Sequence, residues 1–219
     1  ALRLDLNDNW TITPQLMTQL QTTEGSWAYD STVGEMKVAH GYPETSDDRW
    51  TQAALTVEGK VANLDLVYAG SYLKRDVDTE SDYSDYSYWY DTLYGYGSYW
   101  YDDNGDLIDP SQYIQGKDRY NRYTHELRLA SDADQRFRYV LGAFVQRQEH
   151  DIQQRYMIDG LGSQISVTGW EDTIWLTKQM RVDKDWALFG EFTFDFTEKL
   201  SGTVGARYFD SDNSLAGFF

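Results

Sequence analysis

The sequence predicts an all-β fold: an antiparallel meander of about eight strands that forms a transmembrane outer-membrane β-barrel or an arc of a larger barrel. Three observations lead to this prediction. Long segments alternate apolar and polar residues with a period of two. Short turns alternate strictly with long loops along the chain. The less apolar side of the strands carries charges, as expected when lipid covers one face of a sheet and water the other.

The hairpin from Trp186 to Phe209 shows the pattern most clearly. One side of its first strand is aromatic and aliphatic, whereas the other side carries Glu191 and Asp195, and Arg207 follows on the matching side of the second strand. Such charges are costly in a dry core unless they are paired. A secreted β-sandwich with its charged face in solvent has similar hairpins, so this alternative stays open.

The other strands are justified in chain order by the same alternation. Residues 1–6 alternate leucines with polar residues, and Asn7-Asp8-Asn9 supplies turn chemistry. The return strand contains Pro14, which predicts a bulge or an unpaired site there. Further strands are predicted over residues 50–58, 64–74, 120–131, 137–145 and from 174 into the hairpin.

The connections fall into two classes. Short turns are predicted at about residues 7–9, 59–63, 132–135 and 197–199, and long loops at about 23–48, 76–118 and 151–172. No stretch of convincing length has helical periodicity. Short turns at one end and long loops at the other are typical of bacterial outer-membrane barrels.

A barrel of this kind assigns roles to two further sets of residues. Aromatic residues at strand ends fit the girdles at the two membrane interfaces; they are Trp10, Trp50, Tyr72, Tyr123, Trp186 and Tyr208. Charged residues on the less apolar side are predicted to line the lumen, namely Arg3, Asp5, Glu58, Asp65, Glu126, Arg128, Arg138, Glu191 and Arg207.

Composition bounds the function. The chain has 219 residues and a net charge of −17, which disfavours binding to nucleic acid. It has no cysteine, so neither a disulfide framework nor a thiolate metal site is encoded. The sequence has no run of about 18 apolar residues, so it predicts no transmembrane helix. Because the chain begins ALRLDL, without methionine or signal peptide, we expect a mature or shortened piece of a protein.

The second long loop holds the candidate ligand-binding residues. Ten aromatic side chains cluster there, and rigid amphipathic rings suit sugar rings or aromatic ligands. The segment from Asp76 to Asp109 has ten acidic residues and no lysine or arginine, which favours a cationic or metal-bearing ligand. The alternative is a loop that merely packs on its neighbours. The candidates are Tyr83, Tyr86, Tyr88, Trp89, Tyr90, Tyr94, Tyr96, Tyr99, Trp100 and Tyr101.

Other chemistry is weakly indicated. Asp102, Asn104 and Asp106 are similar to an acidic calcium loop but lack EF-hand spacing. A hairpin tip built on Asn-Gly explains the segment equally well. The three histidines, His40, His125 and His150, are far apart in sequence. No catalytic or nucleotide-binding motif is present, so we predict no enzyme activity and no cofactor.

Several stretches resemble the barrel of TonB-dependent outer-membrane receptors. They are RLDLNDNWTITPQL, HELRLAS with RFRYVLGAFVQRQEHDI, and ALFGEFTFDFTEKLSGTVGARYF. The resemblance implies a 22-stranded barrel around a plug domain, and energy-coupled uptake of a nutrient such as a siderophore or an oligosaccharide. It also implies outer-membrane lipid, a small-molecule or glycan ligand and the TonB energy-coupling complex as partners. No plug is visible in the sequence, so the chain is expected to be a segment of such a barrel.

Two alternatives remain. A secreted all-β module would hold carbohydrate on its tyrosine- and tryptophan-rich loop. A small closed eight-stranded outer-membrane barrel would serve as an anchor or a hydrolase, and such barrels tend to end on Phe, as this chain does at Phe219. However, Asp210 to Ser214 is polar, which predicts that Phe219 does not end an alternating strand.

Overall fold

A computed structural model describes residues 1–25, 29–93 and 99–218, which form one eight-stranded antiparallel sheet with its strands in chain order. The predicted all-β meander is confirmed. The elements are β1 (Leu4–Asn7), β2 (Trp10–Glu24), β3 (Thr45–Val61), β4 (Leu64–Asp82), α1 (Ser84–Leu93), β5 (Tyr113–Ser131), β6 (Phe137–Met157), β7 (Thr173–Thr197) and β8 (Leu200–Phe218). No helix in these described ranges has the length and apolar character to cross a bilayer.

The sheet does not close on itself. Within the described residues β1 pairs only with β2, and β8 pairs only with β7. Closure would require hydrogen bonds between β1 and β8, so the alternative of a small closed eight-stranded barrel is wrong for this sheet. Two strand edges therefore present unpaired backbone groups.

The register separates the side chains into two faces. Residues that pair directly across antiparallel strands lie on the same face. One continuous row across all eight strands contains only apolar or tyrosine side chains: Leu4, Ile12, Val57, Tyr68, Leu127, Ala143, Leu188 and Tyr208. We call the face that carries this row the apolar face and the opposite one the polar face.

The charged residues singled out in the sequence share the other face. The register puts all nine of them on the polar face, although they come from seven different strands or strand ends: Arg3, Asp5, Glu58, Asp65, Glu126, Arg128, Arg138, Glu191 and Arg207. Their predicted common side is therefore observed, and whether that side faces a lumen stays a prediction.

The predicted aromatic girdle is mostly on the apolar face. The rings of Tyr72 and Tyr123 pack in a tilted arrangement with centroids 4.7 Å apart, and those of Trp186 and Tyr208 with centroids 5.6 Å apart. Trp50 is the exception: it pairs with an arginine of β4 and lies on the polar face. Its position at a strand end suggested a girdle, but alternation places it on the wrong side.

The short turns are staggered along the sheet. Trp10, the first residue of β2, pairs with Gly59, two residues before the end of β3. Phe137, the first residue of β6, pairs with Phe194, three residues before the end of β7. A stagger of about one residue per strand corresponds to strands tilted by about 35° from the perpendicular to the line that joins the turns. Barrel strands have tilts of this size.

The apolar residues follow the same slant. Leu16 of β2 lies in a hydrogen-bonded row that reaches Tyr72 and Tyr123 and ends on Arg147, Lys184 and Asp212. The apolar band therefore crosses the rows obliquely. A plane cutting tilted strands at one depth produces this offset.

The strands are longer than the sequence predicted. The predicted long loops at 23–48, 76–118 and 151–172 are reduced to connections 25–44, 83–112 and 158–172. The added strand residues are charged on both faces, so they show no hydrophobic alternation. Cross-strand ion pairs accompany them, such as Arg75 with Asp48 at 2.6 Å and Arg119 with Asp78 at 2.7 Å.

One sequence prediction at a strand end needs correction, and the prediction for Pro14 is confirmed in part. β8 continues through the polar segment from Asp210 to Ser214 and ends at Phe218, whereas Phe219 lies outside the described residues. Pro14 causes no bulge in the β2–β3 ladder. The predicted unpaired site is observed instead: the Pro14 carbonyl accepts from Leu2 N, but β1 begins only at Leu4, so Pro14 has no ladder partner in β1.

The helix α1 was not predicted. Asp82 begins it by accepting hydrogen bonds from the backbone N–H and the hydroxyl of Ser84 at 3.0 and 2.6 Å. Asp85 in the first turn interacts favourably with the helix dipole. Because tyrosine and tryptophan are weak helix formers, the aromatic segment gave no helical signal in the sequence.

Candidate functional site

The most tightly packed part of the molecule is the end with the long connections. We call the connections 25–44, 83–112 and 158–172 the loop platform. Ile158 and Thr173 are completely buried there, and the side chains of Met157, Leu161 and Leu176 are nearly so. The sheet itself leaves most of its large apolar side chains partly exposed. The small core of the described residues therefore fixes the loops.

Hydrogen bonds join separate loops of the platform. Leu161 N donates to Asp172 Oδ1 at 3.0 Å, and Gly162 N donates to the Tyr101 carbonyl at 2.8 Å. A Cβ at Gly162 would lie 2.9 Å from that same carbonyl, so only glycine allows the approach. Asp103 accepts from the backbone N–H of Ser163 at 2.6 Å. The second and third long connections are thus tied together.

The acidic segment folds as a hairpin tip. Tyr101 and Leu107 form an isolated bridge around Gly105, which has a φ of 85°. The backbone N–H groups of Asp106 and Asn104 donate to Asp102 Oδ1 and hold the pKa of Asp102 below its usual range. Calcium binding by Asp102, Asn104 and Asp106 stays a prediction, and the hairpin accounts for the geometry.

Metal-ligating side chains are dispersed in the described parts of the chain. No group of three or more His, Cys, Asp or Glu residues there is arranged to hold a metal ion. The three histidines are engaged separately: His40 with Glu44 at 3.0 Å, His125 with Tyr68 at 2.7 Å, and His150 with Asp118 at 2.6 Å.

A tyrosine clamp links the first and third long connections to the start of β5. The rings of Tyr42 and Tyr113 are 4.4 Å apart, and both hydroxyls donate to the carboxylate of Asp159, at 3.4 and 3.0 Å. Burial and then the charge of Asp159 raise the pKa of Tyr42 to about 12. Burial and the hydrogen bond to Asp159 likewise raise the pKa of Tyr113. The clamp therefore consists of two neutral phenols that donate to one carboxylate.

The clamp predicts a pH dependence of the loop platform. A raised folded-state pKa means that the stabilisation is complete below the ordinary tyrosine pKa of about 10 and is lost as the pH rises through about 12. We expect Asp159→Asn to lower the pKa of both phenols, because it removes the neighbouring negative charge. Alkaline titration of phenolate absorbance measures this, with Asp134→Asn in a distant turn as the control. Superimposable titrations of Asp159→Asn and wild type would contradict it.

An aromatic cleft lies at the same end of the molecule as the clamp. It has a volume of about 500 Å³, within the range of about 300–1,000 Å³ for ligand pockets. Its lining residues are Tyr83, Tyr86, Trp100, Gln112, Tyr156, Ile174 and Trp175. We call this space the aromatic cleft.

The cleft includes three of the ten predicted ligand-binding residues, Tyr83, Tyr86 and Trp100. Tyr88, Trp89, Tyr99 and Tyr101 do not line it, whereas Tyr94, Tyr96 and the side chain of Tyr90 lie outside what the structure describes. Sequence reasoning missed four lining residues, Gln112, Tyr156, Ile174 and Trp175. Tyr156 precedes the third connection, whereas Ile174 and Trp175 follow it. The long-range pairing of β6 with β7 brings these residues together beside the second connection.

The polar face carries paired charges towards the end of the sheet that has the short turns. Arg138 makes two hydrogen bonds to Asp195, at 2.5 and 2.7 Å, and Arg128 contacts Glu126. Arg207 instead lies over the rings of Phe144 and Phe189, with its guanidinium carbon 5.7 and 5.8 Å from their centroids. These groups suit a wetted wall, because they are partly solvated and balanced in charge.

No protein-family model, curated protein or solved structure matches this chain. What the molecule does is therefore inferred from its own residues: an oblique apolar band on one face, charges on the other, and loops locked together at one end. Within the described residues the aromatic cleft is the hollow that combines several rings with a buried amide. The hollows at the short turns and on the polar face are lined by charged groups instead.

Proposed function

We propose that the chain is an arc of an outer-membrane β-barrel, part of a TonB-dependent type of receptor that takes up a nutrient. The observation that carries the proposal is the oblique apolar band opposite a charged face. Lipid would cover the apolar face, and the polar face would line a wet lumen.

The height of the apolar band supports this placement. It spans nine residues in β4, from Leu64 to Tyr72, and eleven in β7, from Trp186 to Phe196. A transmembrane strand needs about 9–11 residues. At a tilt of about 35°, nine residues rise about 25 Å, close to the height of the apolar belt of outer-membrane barrels.

The exposed apolar surface favours a membrane over a secreted module. Val204 is 68% exposed, and Leu16, Leu188 and Phe196 are also exposed on the same face. A secreted sandwich would cover such a face with a second sheet, and the described residues form a single sheet. A contiguous uncovered apolar face marks a contact with another apolar phase.

The open edges support an arc. Unpaired strand edges are not tolerated in the hydrocarbon region of a bilayer, so further strands must pair with β1 and β8. The 22-stranded barrel, the plug domain and the contact with the TonB energy-coupling complex belong to the remainder of such a receptor. In this proposal the loop platform captures the nutrient outside the cell, and the polar face guides it inward.

Single cysteines test the proposal, because the natural chain has none. In the membrane-embedded protein, Glu126→Cys and Arg128→Cys are expected to react with a water-soluble maleimide. Leu127→Cys and Leu129→Cys, on the apolar face, are expected to stay unlabelled because lipid covers them. In intact cells Asn104→Cys is expected to react, whereas Asp134→Cys reacts only after the outer membrane is permeabilised.

Equal labelling at all four positions of β5 would sink the lipid-facing assignment. Labelling of Asp134→Cys but not of Asn104→Cys in intact cells would reverse the orientation. Denatured samples of each variant, in which every position must react, control for intrinsic reactivity.

A further inference from the structure

The aromatic cleft lies where the polar face meets the loop platform. Tyr156 pairs with Trp175 across β6 and β7, and both side chains lie on the polar face. Tyr83 N donates to the Gln112 carbonyl at 2.8 Å, which brings the start of α1 to the outer end of β5. The cleft therefore stands at the outer end of the path that the polar face would line.

Flat rings dominate the lining. Five of the seven lining residues are aromatic, and the ring of Trp175 is half exposed. Tyrosine and tryptophan offer rigid apolar faces at a small cost in conformational entropy. The site is thus prepared for a ligand that has a flat or gently puckered apolar face.

One buried polar group in the cleft, the amide of Gln112, has a fixed orientation. Gln112 is 3% exposed, and its Nε2 donates to Ser87 Oγ at 3.0 Å, whose hydroxyl donates to the Pro110 carbonyl at 2.7 Å. This chain fixes which way the amide points. The Oε1 atom of Gln112 accepts no hydrogen bond from the described residues, so it remains an acceptor for a ligand hydroxyl.

Charge narrows the ligand class. Among the described residues that line the cleft there is neither a carboxylate nor a cationic side chain. Asp82 and Asp85 flank Tyr83 in the chain, and the whole chain carries a net charge of −17, so an anionic ligand is repelled. A cationic ligand finds no carboxylate in the lining to pair with. A neutral ligand fits the site best.

We infer that the aromatic cleft binds a neutral saccharide, with a sugar ring stacked on Trp175 and a hydroxyl donated to Gln112 Oε1. Sugar rings combine an apolar C–H face with hydroxyl groups at the rim, which is the complement of rings around a fixed acceptor. The inference names the substrate class of the receptor proposed above and rests on that proposal for its biological role.

Tryptophan fluorescence titration of the complete receptor proposed above, which contains this chain, tests the inference. The protein is held in an amine-oxide detergent, because detergents with sugar head groups would compete. The probes are maltotriose, cellotriose and mannotriose, with trigalacturonic acid as an anionic trisaccharide of similar size. We expect saturable quenching by at least one neutral trisaccharide and at least tenfold weaker binding of the anionic one.

Substitutions then locate the site. Trp175→Ala is expected to weaken binding at least tenfold, since truncation of a stacked aromatic ring removes most of its contact, and Gln112→Leu to weaken it severalfold. Tyr99→Ala, at an exposed tyrosine of the same loop that does not line the cleft, is the matched control and is expected to leave affinity unchanged. The wild-type selectivity against trigalacturonic acid tests the inference even if Gln112→Leu fails to fold.

Three results would overturn the inference: no saturable binding of any neutral trisaccharide, equal binding of trigalacturonic acid, or equal losses in Trp175→Ala and Tyr99→Ala. The cysteine labelling described above reports on membrane placement separately. A chain that inserts but binds no sugar retains the proposed receptor function with another substrate. A chain that binds sugar through Trp175 but does not insert would instead be a carbohydrate-binding module.

Discussion

In the complete barrel proposed above, arginine at Val204 or Phe194 is expected to abolish membrane insertion. Both side chains lie on the apolar face, in β8 and β7 respectively. An arginine facing lipid near the bilayer midplane costs about 2–4 kcal/mol in a barrel strand, a large part of the stability of a typical domain. The measurement is the fraction of protein that resists extraction from outer membranes by alkaline carbonate.

Glu191→Gln is the matched control, because Glu191 lies between Gly190 and Phe192 in β7 but on the polar face. It removes a charge from the wet side and is expected to leave insertion unchanged. Equal insertion of Val204→Arg, Phe194→Arg and Glu191→Gln would show that the apolar face is not in lipid.

Ile158→Ala is expected to loosen the whole loop platform while the sheet stays intact. The Ile158 side chain is completely buried, and its backbone N–H donates to the Asp172 carbonyl at 3.0 Å. Truncation of a buried isoleucine costs about 2–5 kcal/mol. Among the described residues few other buried apolar side chains lie at this end to compensate, so the loss falls on the platform.

Limited proteolysis measures this effect. In Ile158→Ala, cleavage within 158–172 and 83–112 is expected to accelerate at least tenfold, whereas the amide hydrogen exchange of the strands stays slow. Met36→Ala alters an exposed residue of the first connection and is the control. Unchanged cleavage in Ile158→Ala would show that the platform is held by its hydrogen bonds rather than by its core.

The faces of the sheet could be predicted from the sequence, because a period of two is a local property. Glu58, Arg128 and Arg207 come from three separate strands, yet each was assigned to the polar side from its immediate neighbours alone. The register then follows from the tight turns, which leave little freedom to slip. Trp50 was misplaced because its position at a strand end was weighed above alternation.

The ends of the strands and the cleft depend on distant residues. Asp78 looks like a loop residue until Arg119, 41 residues later, is seen to pair with it. Gln112 and Trp175 have no local signal, since their shared cleft forms only when the second and third connections pack together. The helix α1 was missed for a related reason: its tyrosines are poor helix formers, and contacts with the platform override that preference.

The two edges of the sheet differ in the length of the strand that is free to pair with another strand. β8 presents 19 consecutive residues, whereas β1 has four and covers only the first residues of β2. The β8 edge of one copy can pair head to tail with the β1 and β2 edge of the next, and this contact does not close. In water, isolated copies are therefore expected to stack edge to edge into ribbons that grow without limit. If the chain is the proposed arc of a barrel, the strands that pair with its two edges would thus also prevent fibre formation.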